Sequence, residues 1–253
     1  MIRLNKLVPP ALLLFATGCT DTGVDATEVP LFVRGTAIEE PITVEGWQVE
    51  LTDARLAFGP LYLCKGTQAG ELCDTALLEW LDATEVDLLD DAPRWAGSLS
   101  GATGTARSWM YDLGITSIYT APEPLSLPAA EALGGNSVQL RGVATNGERT
   151  ISFRAAIPVQ QGAETEAGIP VVRKSPSEPF EHEVDLDEAG LWIAFDAAPW
   201  LAQVDFGSMV APPVSQTNPN PVFVIEPGTQ PYRALRNAVL SGERPAFRWS
   251  SPR

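Results

Sequence analysis

His182 is the only histidine in this 253-residue chain, so a serine or cysteine triad would have to use it to take the nucleophile's proton. It stands among Glu181, Glu183 and Asp185, a setting that reads first as a solvated strand or loop. The nucleophile elbow G-x-S-x-G is absent; the nearest string, Gly97 to Gly101, is Gly-Ser-Leu-Ser-Gly, with leucine at the nucleophile's position. Asp185, Asp187, Gly190 and Asp196 fall at positions 1, 3, 6 and 12 of a twelve-residue calcium loop, a pattern that offers carboxylate oxygens to a hard cation. Position 5 is Ala189, however, and the final ligand is aspartate in place of glutamate. The flanks alternate as strands do, so a hairpin turn is the simpler expectation. Asp185, Asp187, Asp196 and His182 are the metal-ligand candidates.

Seven tryptophans raise a different chemistry, because indole faces stack on sugar rings and other apolar ligands. Trp47 is in phase with Val49 and Leu51, and Trp80 with Leu77, which assigns both to the core. Trp192 is out of phase with Leu191, Ile193 and Phe195, and Trp109 pairs with Tyr111. Trp109, Tyr111 and Trp192 are therefore the candidates for an aromatic binding face. The 32 acidic side chains offer material for a carboxylate-based hydrolase, but no spacing singles out a pair. Phosphate loops, dinucleotide fingerprints and H-E-x-x-H are absent, and no cofactor is implied.

The elements that must carry these residues read as strands. In the longest strand-like run, Ile42 to Cys73, the apolar set Ile42 and Val44 is even-numbered while Trp47, Val49 and Leu51 are odd. That change of parity predicts a bulge at Gly46. Parity changes again before Ala54, Leu56 and Phe58, which predicts a turn or second bulge at Thr52 and Asp53. Gly59 and Pro60 end the run, and Leu61 to Cys64 reads as a short strand. The polar loop Lys65 to Leu72 holds two glycines and can return Cys73 to Cys64. Closing so short a loop stabilises by about 2–3 kcal/mol in the loop-entropy estimate. Asp74 is expected to cap a short helix bearing Leu77, Leu78, Trp80 and Leu81.

Further strands are expected at Leu31 to Ile38, Thr105 to Tyr111, Val184 to Leu186, Leu191 to Phe195, Val222 to Ile225 and Ala246 to Trp249. Val184 and Leu191 should belong to one hairpin, turning at Glu188 to Gly190. Asn146-Gly147 is the strongest hairpin turn signal. A two-residue turn there puts Leu140 opposite Phe153, Val138 opposite Ala155 and Gly142 opposite Ile151, with all the apolar residues on one face. Ala121 to Pro128 reads as a loop, Ala211 to Pro221 as a linker, and Tyr232 to Leu240 has helical spacing ending at Ser241-Gly242. The fold class expected is mainly β: an antiparallel β-sandwich with two or three short helices and one disulfide-closed loop.

The N-terminus carries Arg3 and Lys6, then an apolar run from Leu7 to Phe15, then small residues. This has the form of a secretory signal, too short to span a bilayer. Phe15-Ala16-Thr17-Gly18-Cys19 resembles the lipobox of bacterial lipoproteins over residues 1–20 alone. The resemblance implies cleavage before Cys19, acylation of its thiol and permanent anchoring. Thr20, where an aspartate would resemble an inner-membrane retention signal, implies an outer-membrane address. Assigning Cys19 to lipid leaves Cys64 and Cys73 as an even pair for an oxidising compartment. The expected organisation is then a signal peptide at 1–18, a lipid-anchored tether at 19–30 and a β-rich globular part at 31–253, with a candidate division into sub-domains near 121–136.

A formal net charge of −15 argues against nucleic acid, whose phosphates need a basic surface. The partners expected are the membrane, through the lipid, and a protein or glycan. The role expected is binding or structural at the cell envelope. A metal-handling envelope protein and a hydrolase with a carboxylate site are the rival readings.

Overall fold

Period-two alternation of apolar and polar residues runs through most of the chain, and the backbone follows it into strands. The computed structural model describes residues 24–67, 73, 75–116, 125–158, 171–175, 180–210, 213, 215, 220–241 and 244–250. The leader, Cys19, Asp74, the 160–168 loop and most of the 211–221 linker lie outside them. In chain order the first strands are β1 (Ala26–Arg34), β2 (Ile42–Val44), β3 (Trp47–Phe58), β4 (Leu61–Cys64), β5 (Ala76–Trp80), β6 (Thr84–Asp87), β7 (Arg94–Ala102), β8 (Gly104–Ala106) and β9 (Ser108–Asp112). Helix α1 (Pro128–Ala132) leads to β10 (Asn136–Thr145), β11 (Thr150–Pro158), β12 (Val171–Ser175), β13 (His182–Val184), β14 (Gly190–Ala194) and β15 (Val222–Ile225). Helix α2 (Gln230–Ser241) and β16 (Ala246–Ser250) complete the described chain.

Two large sheets result. The first has eight strands in the order β12-β9-β4-β5-β7-β1-β14-β16, and the second runs β15-β11-β10-β3-β2 with β6 beside β3. A separate pair, β13 with β8, flanks them. Neighbours are mostly antiparallel, the exceptions being β1 with β14 and β11 with β15. Both sheets feed one buried cluster: Val29, Leu31 and Val33 of β1 meet Val49, Leu56 and Phe58 of β3, Leu140 of β10 and Phe153 of β11. Each such side chain taken fully out of water stabilises by about 1.5–3 kcal/mol. Phe58 is a hub of this core, with the rings of Trp80, Tyr111 and Phe195 at 6.1, 5.4 and 5.0 Å. The cluster draws on residues from both sides of 121–136. Cys64 and Cys73 are joined in a disulfide, their Cα atoms 5.6 Å apart. Among the described residues, no helix is long and apolar enough to cross a membrane.

Several local expectations are corrected. The parity change at Glu45 and Gly46 is a two-residue hairpin turn and not a bulge, since Val44 pairs with Trp47 and both turn residues have positive φ, 46° and 85°. Partners across a two-residue turn have opposite parity, which produces the same pattern as a bulge. The second parity change is a bulge, one of the two alternatives expected, and not a turn: Arg141 faces Asp53 and Gly142 faces Leu51, leaving Thr52 extra.

The segment read as a helix, Leu77 to Leu81, is strand β5, pairing with β4 and β7. Leu81 is 43% exposed, so the helical stripe does not exist, and tertiary pairing overrides the local spacing. The 146–147 hairpin closes with a four-residue turn, Thr145 pairing with Thr150, so Leu140 faces Ala155 and Gly142 faces Phe153. The displacement from the expected register is even, so every side chain keeps its expected face. β13 and β14 are not a hairpin; β13 pairs with β8, and β14 lies parallel to β1. β1 starts at Ala26, inside the segment read as tether, and α1 begins at Pro128, the last residue of the segment read as a loop. Proline at its first turn followed by Ala-Ala-Glu-Ala was the signal for it.

Candidate functional site

Alternation along β1 puts Leu31 and Val33 inward and Phe32 and Arg34 outward; along β14, Leu191 and Ile193 point inward and Trp192 and Ala194 outward. Register then sets these outward residues side by side. Trp95 of β7 pairs with Phe32, Phe32 with Trp192, and Trp192 with Arg248 of β16. An aromatic row thus crosses three adjacent strands on the outer face of the eight-stranded sheet and ends in a guanidinium. Phe32 and Trp192 stack, centroids 4.4 Å apart and planes at 17°, and Trp95 is 67% exposed. Gly190, at φ 147°, leaves room for this stacking, because a Cβ there would come within 3.2 Å of the Phe32 ring.

The next row along the strands is Arg34, Ala194 and Ala246. Two alanines give a low floor between the aromatic ridge and Arg34 with Pro93, and the result is a groove of about 390 Å³ that Trp249 also lines. This volume falls in the ordinary range of small-ligand clefts, about 300–1,000 Å³. Arg34 donates from Nη1 to the Asp91 carbonyl at 3.4 Å. Neither Arg34 nor Arg248 makes an ion pair with any described residue.

Behind the groove wall lies the single histidine. The His182 ring stacks on Trp249 at 4.2 Å and 11°, and its Nε2 lies 2.8 Å from Oε2 of Glu188. A carboxylate accepts, so this geometry places the donating N–H on Nε2. The Glu188 side chain is 5% exposed, and its Oε1 and the Trp249 Nε1 are buried with no hydrogen-bond partner among the described residues. The pair ties the segment before β14 to β13 and steadies Trp249. Among the described residues, the side-chain partner of His182 is the Glu188 carboxylate, a contact that positions the ring.

The other sequence candidates are dispersed. Trp109 and Tyr111 do not form a surface; at 5% and 3% exposure they stack on each other inside the fold, and Trp109 stacks on Phe247. They share a strand face as expected, but β9 turns that face inward. Of the three aromatic candidates only Trp192 reaches the outside. Asp185 and Asp187 precede β14 and Asp196 follows it, so an extended strand separates the residues that a calcium loop would gather. Asp196 instead accepts at 2.9 Å from the Ala198 amide. Among the described residues, no three His, Cys, Asp or Glu side chains come together to hold a metal ion.

Three carboxylates do converge elsewhere, on Arg55, from Asp53, Glu85 and Asp87 at 3.0, 3.1 and 3.2 Å. The hydrogen bond to Asp53 raises the Arg55 pKa above its ordinary value, against desolvation and with help from the surrounding charges. This is a surface ion network pinning β3 to β6, not two acids facing each other across a cleft. Sequence reasoning missed Phe32, Trp95, Arg34 and Arg248. The outward phase of Phe32 and Arg34 against Leu31 and Val33 was readable, but no local signal says which strands lie beside β1. Comparison of the chain with protein-family models, with the curated proteins and with the solved structures finds no match.

Proposed function

We propose that this is a binding protein of the cell envelope, exported and held to the membrane by lipid on Cys19, which takes a saccharide in the groove beside Trp192. One observation carries the reading: register sets Trp95, Phe32 and Trp192 side by side on an outward sheet face, the last two stacked ring on ring. Its outer end, Trp95, is exposed while Phe32 and Trp192 are half-buried, and exposed apolar surface beside a cleft marks interaction sites. Rings supply broad contact area at low entropic cost, and the adjoining guanidiniums can bond hydroxyls. The metal reading has no comparable cluster to rest on among the described residues.

The test is a glycan array probed with the purified protein, followed by calorimetry on the hits. Wild type should bind a defined subset of glycans. Trp192→Ala and Trp95→Ala should each weaken binding at least about tenfold, equivalent to about 1.4 kcal/mol, with the thermal midpoint of Trp95→Ala unchanged. An array on which wild type binds nothing, or variants that bind as wild type does, overturns the reading.

A further inference from the structure

We infer that the groove selects an acidic saccharide, one carrying a carboxylate, and that Arg34 and Arg248 hold that group; the inference rests on the saccharide reading of the same groove. The first observation is one of charge. The chain has 32 acidic side chains against 17 lysines and arginines, so a cation has abundant partners available. Arg55 uses them, with Asp53, Glu85 and Asp87, as do Arg141 with Asp53 and Arg107 with Glu181. The two arginines lining the groove make no ion pair with any described residue. Two unpaired guanidiniums lining one cleft of an acidic protein form a local positive field aimed at a ligand.

The second observation is placement. β1 and β16 are separated by β14 alone, so Arg34 and Arg248 stand about 10 Å apart across the sheet and about 7 Å apart along it, from ordinary strand spacing and rise. Between them lie the methyl groups of Ala194 and Ala246, over which both long side chains can lean, with the Trp192 side chain beside Arg248. A sugar resting on that floor, against the edge of the aromatic ridge, would have a guanidinium at two of its corners. Guanidinium matches carboxylate with two parallel hydrogen bonds, a geometry that a neutral hydroxymethyl group cannot reproduce.

The net charge of the protein bounds the ligand from the other side. A long polyanion would be repelled along its length by a protein of formal net charge −15, whereas a single carboxylate limits that repulsion to one site. The ligand class is therefore an oligosaccharide with a sparse acidic sugar and not a densely charged polymer.

The experiment measures affinity for oligosaccharides carrying a single uronic or sialic acid, each beside its carboxyl-reduced counterpart with the same backbone. Wild type should bind at least one acidic member ten or more times tighter than its reduced partner at low salt, and the ratio should shrink in 0.5 M salt as screening grows. Arg248→Gln and Arg34→Gln should lower that ratio towards one, because each weakens the acidic form more than the reduced form. Trp192→Ala should weaken both forms together. If neutral glycans bind in a Trp192-dependent way with no preference for the acid, the acidic inference fails and the saccharide site stands. If the preference survives both arginine substitutions, the carboxylate is held elsewhere and the inference fails. If nothing in either set binds, both readings fall.

Discussion

Tyr111 lies in the core between Phe58 and Trp109, and burial raises its pKa well above the usual phenol range despite a hydrogen bond with Arg244 that opposes the shift. The consequence for stability follows from proton linkage. Below about pH 10, the unfolded-chain value, folded and unfolded states both keep the proton and the contribution is fully present. Above it the unfolded chain ionises first, so stability is lost as pH rises towards the folded-state pKa, by up to about 1.4 kcal/mol per pH unit for this group. Thermal melts from pH 8 to 12 should therefore fall more steeply for wild type than for Tyr111→Phe. Parallel slopes in the two proteins would show that Tyr111 is not buried as described. The same burial explains why an aromatic pair with clean strand spacing was misjudged as a surface: alternation says that Trp109 and Tyr111 share a face, and is silent on whether that face looks in or out.

The hairpin joining β2 to β3 shows what an element reveals and conceals. Both turn residues have positive φ, which glycine at 46 adopts freely and glutamate at 45 adopts at a cost. Asparagine is favoured at that first position, so Glu45→Asn should stabilise by about 0.5–1 kcal/mol and raise the thermal midpoint by about 1–4 °C. An unchanged or lower midpoint would count against the two-residue turn. Register inside strands was legible wherever one face is buried, because a slip by one residue would turn the whole apolar set outward. The 146–147 hairpin kept its faces for that reason while its turn length was misread, since an even shift costs nothing in alternation. β5 was illegible because its leucines suit either period, and only β4 and β7 on its two sides decide between them. The parallel pairing of β1 with β14 leaves no local mark, since its partners are some 160 positions apart.

For the whole molecule, the export reading makes a joint prediction about three cysteines. The native product should have a mass matching cleavage before Cys19 with acyl chains added, and Cys64 and Cys73 should resist alkylation until reduced. Cys19→Ser should leave the protein in the soluble fraction with the disulfide intact. A full-length product with its initiator methionine and three free thiols would remove both the anchor and the compartment. Composition, alternation and the N-terminal segment were enough by themselves to set the β class and to raise the expectations of an envelope address and of no nucleic-acid partner, because these depend on totals and on neighbours in sequence. The disulfide was also within reach, because its partners are only 9 residues apart. The groove was not. Trp95, Phe32, Trp192 and Arg248 are scattered along most of the chain and become neighbours only when β7, β1, β14 and β16 take adjacent places in one sheet. Strand order is chosen by the fit of inward side chains in a shared core, so the outward residues that form the site are brought together by packing on the opposite face.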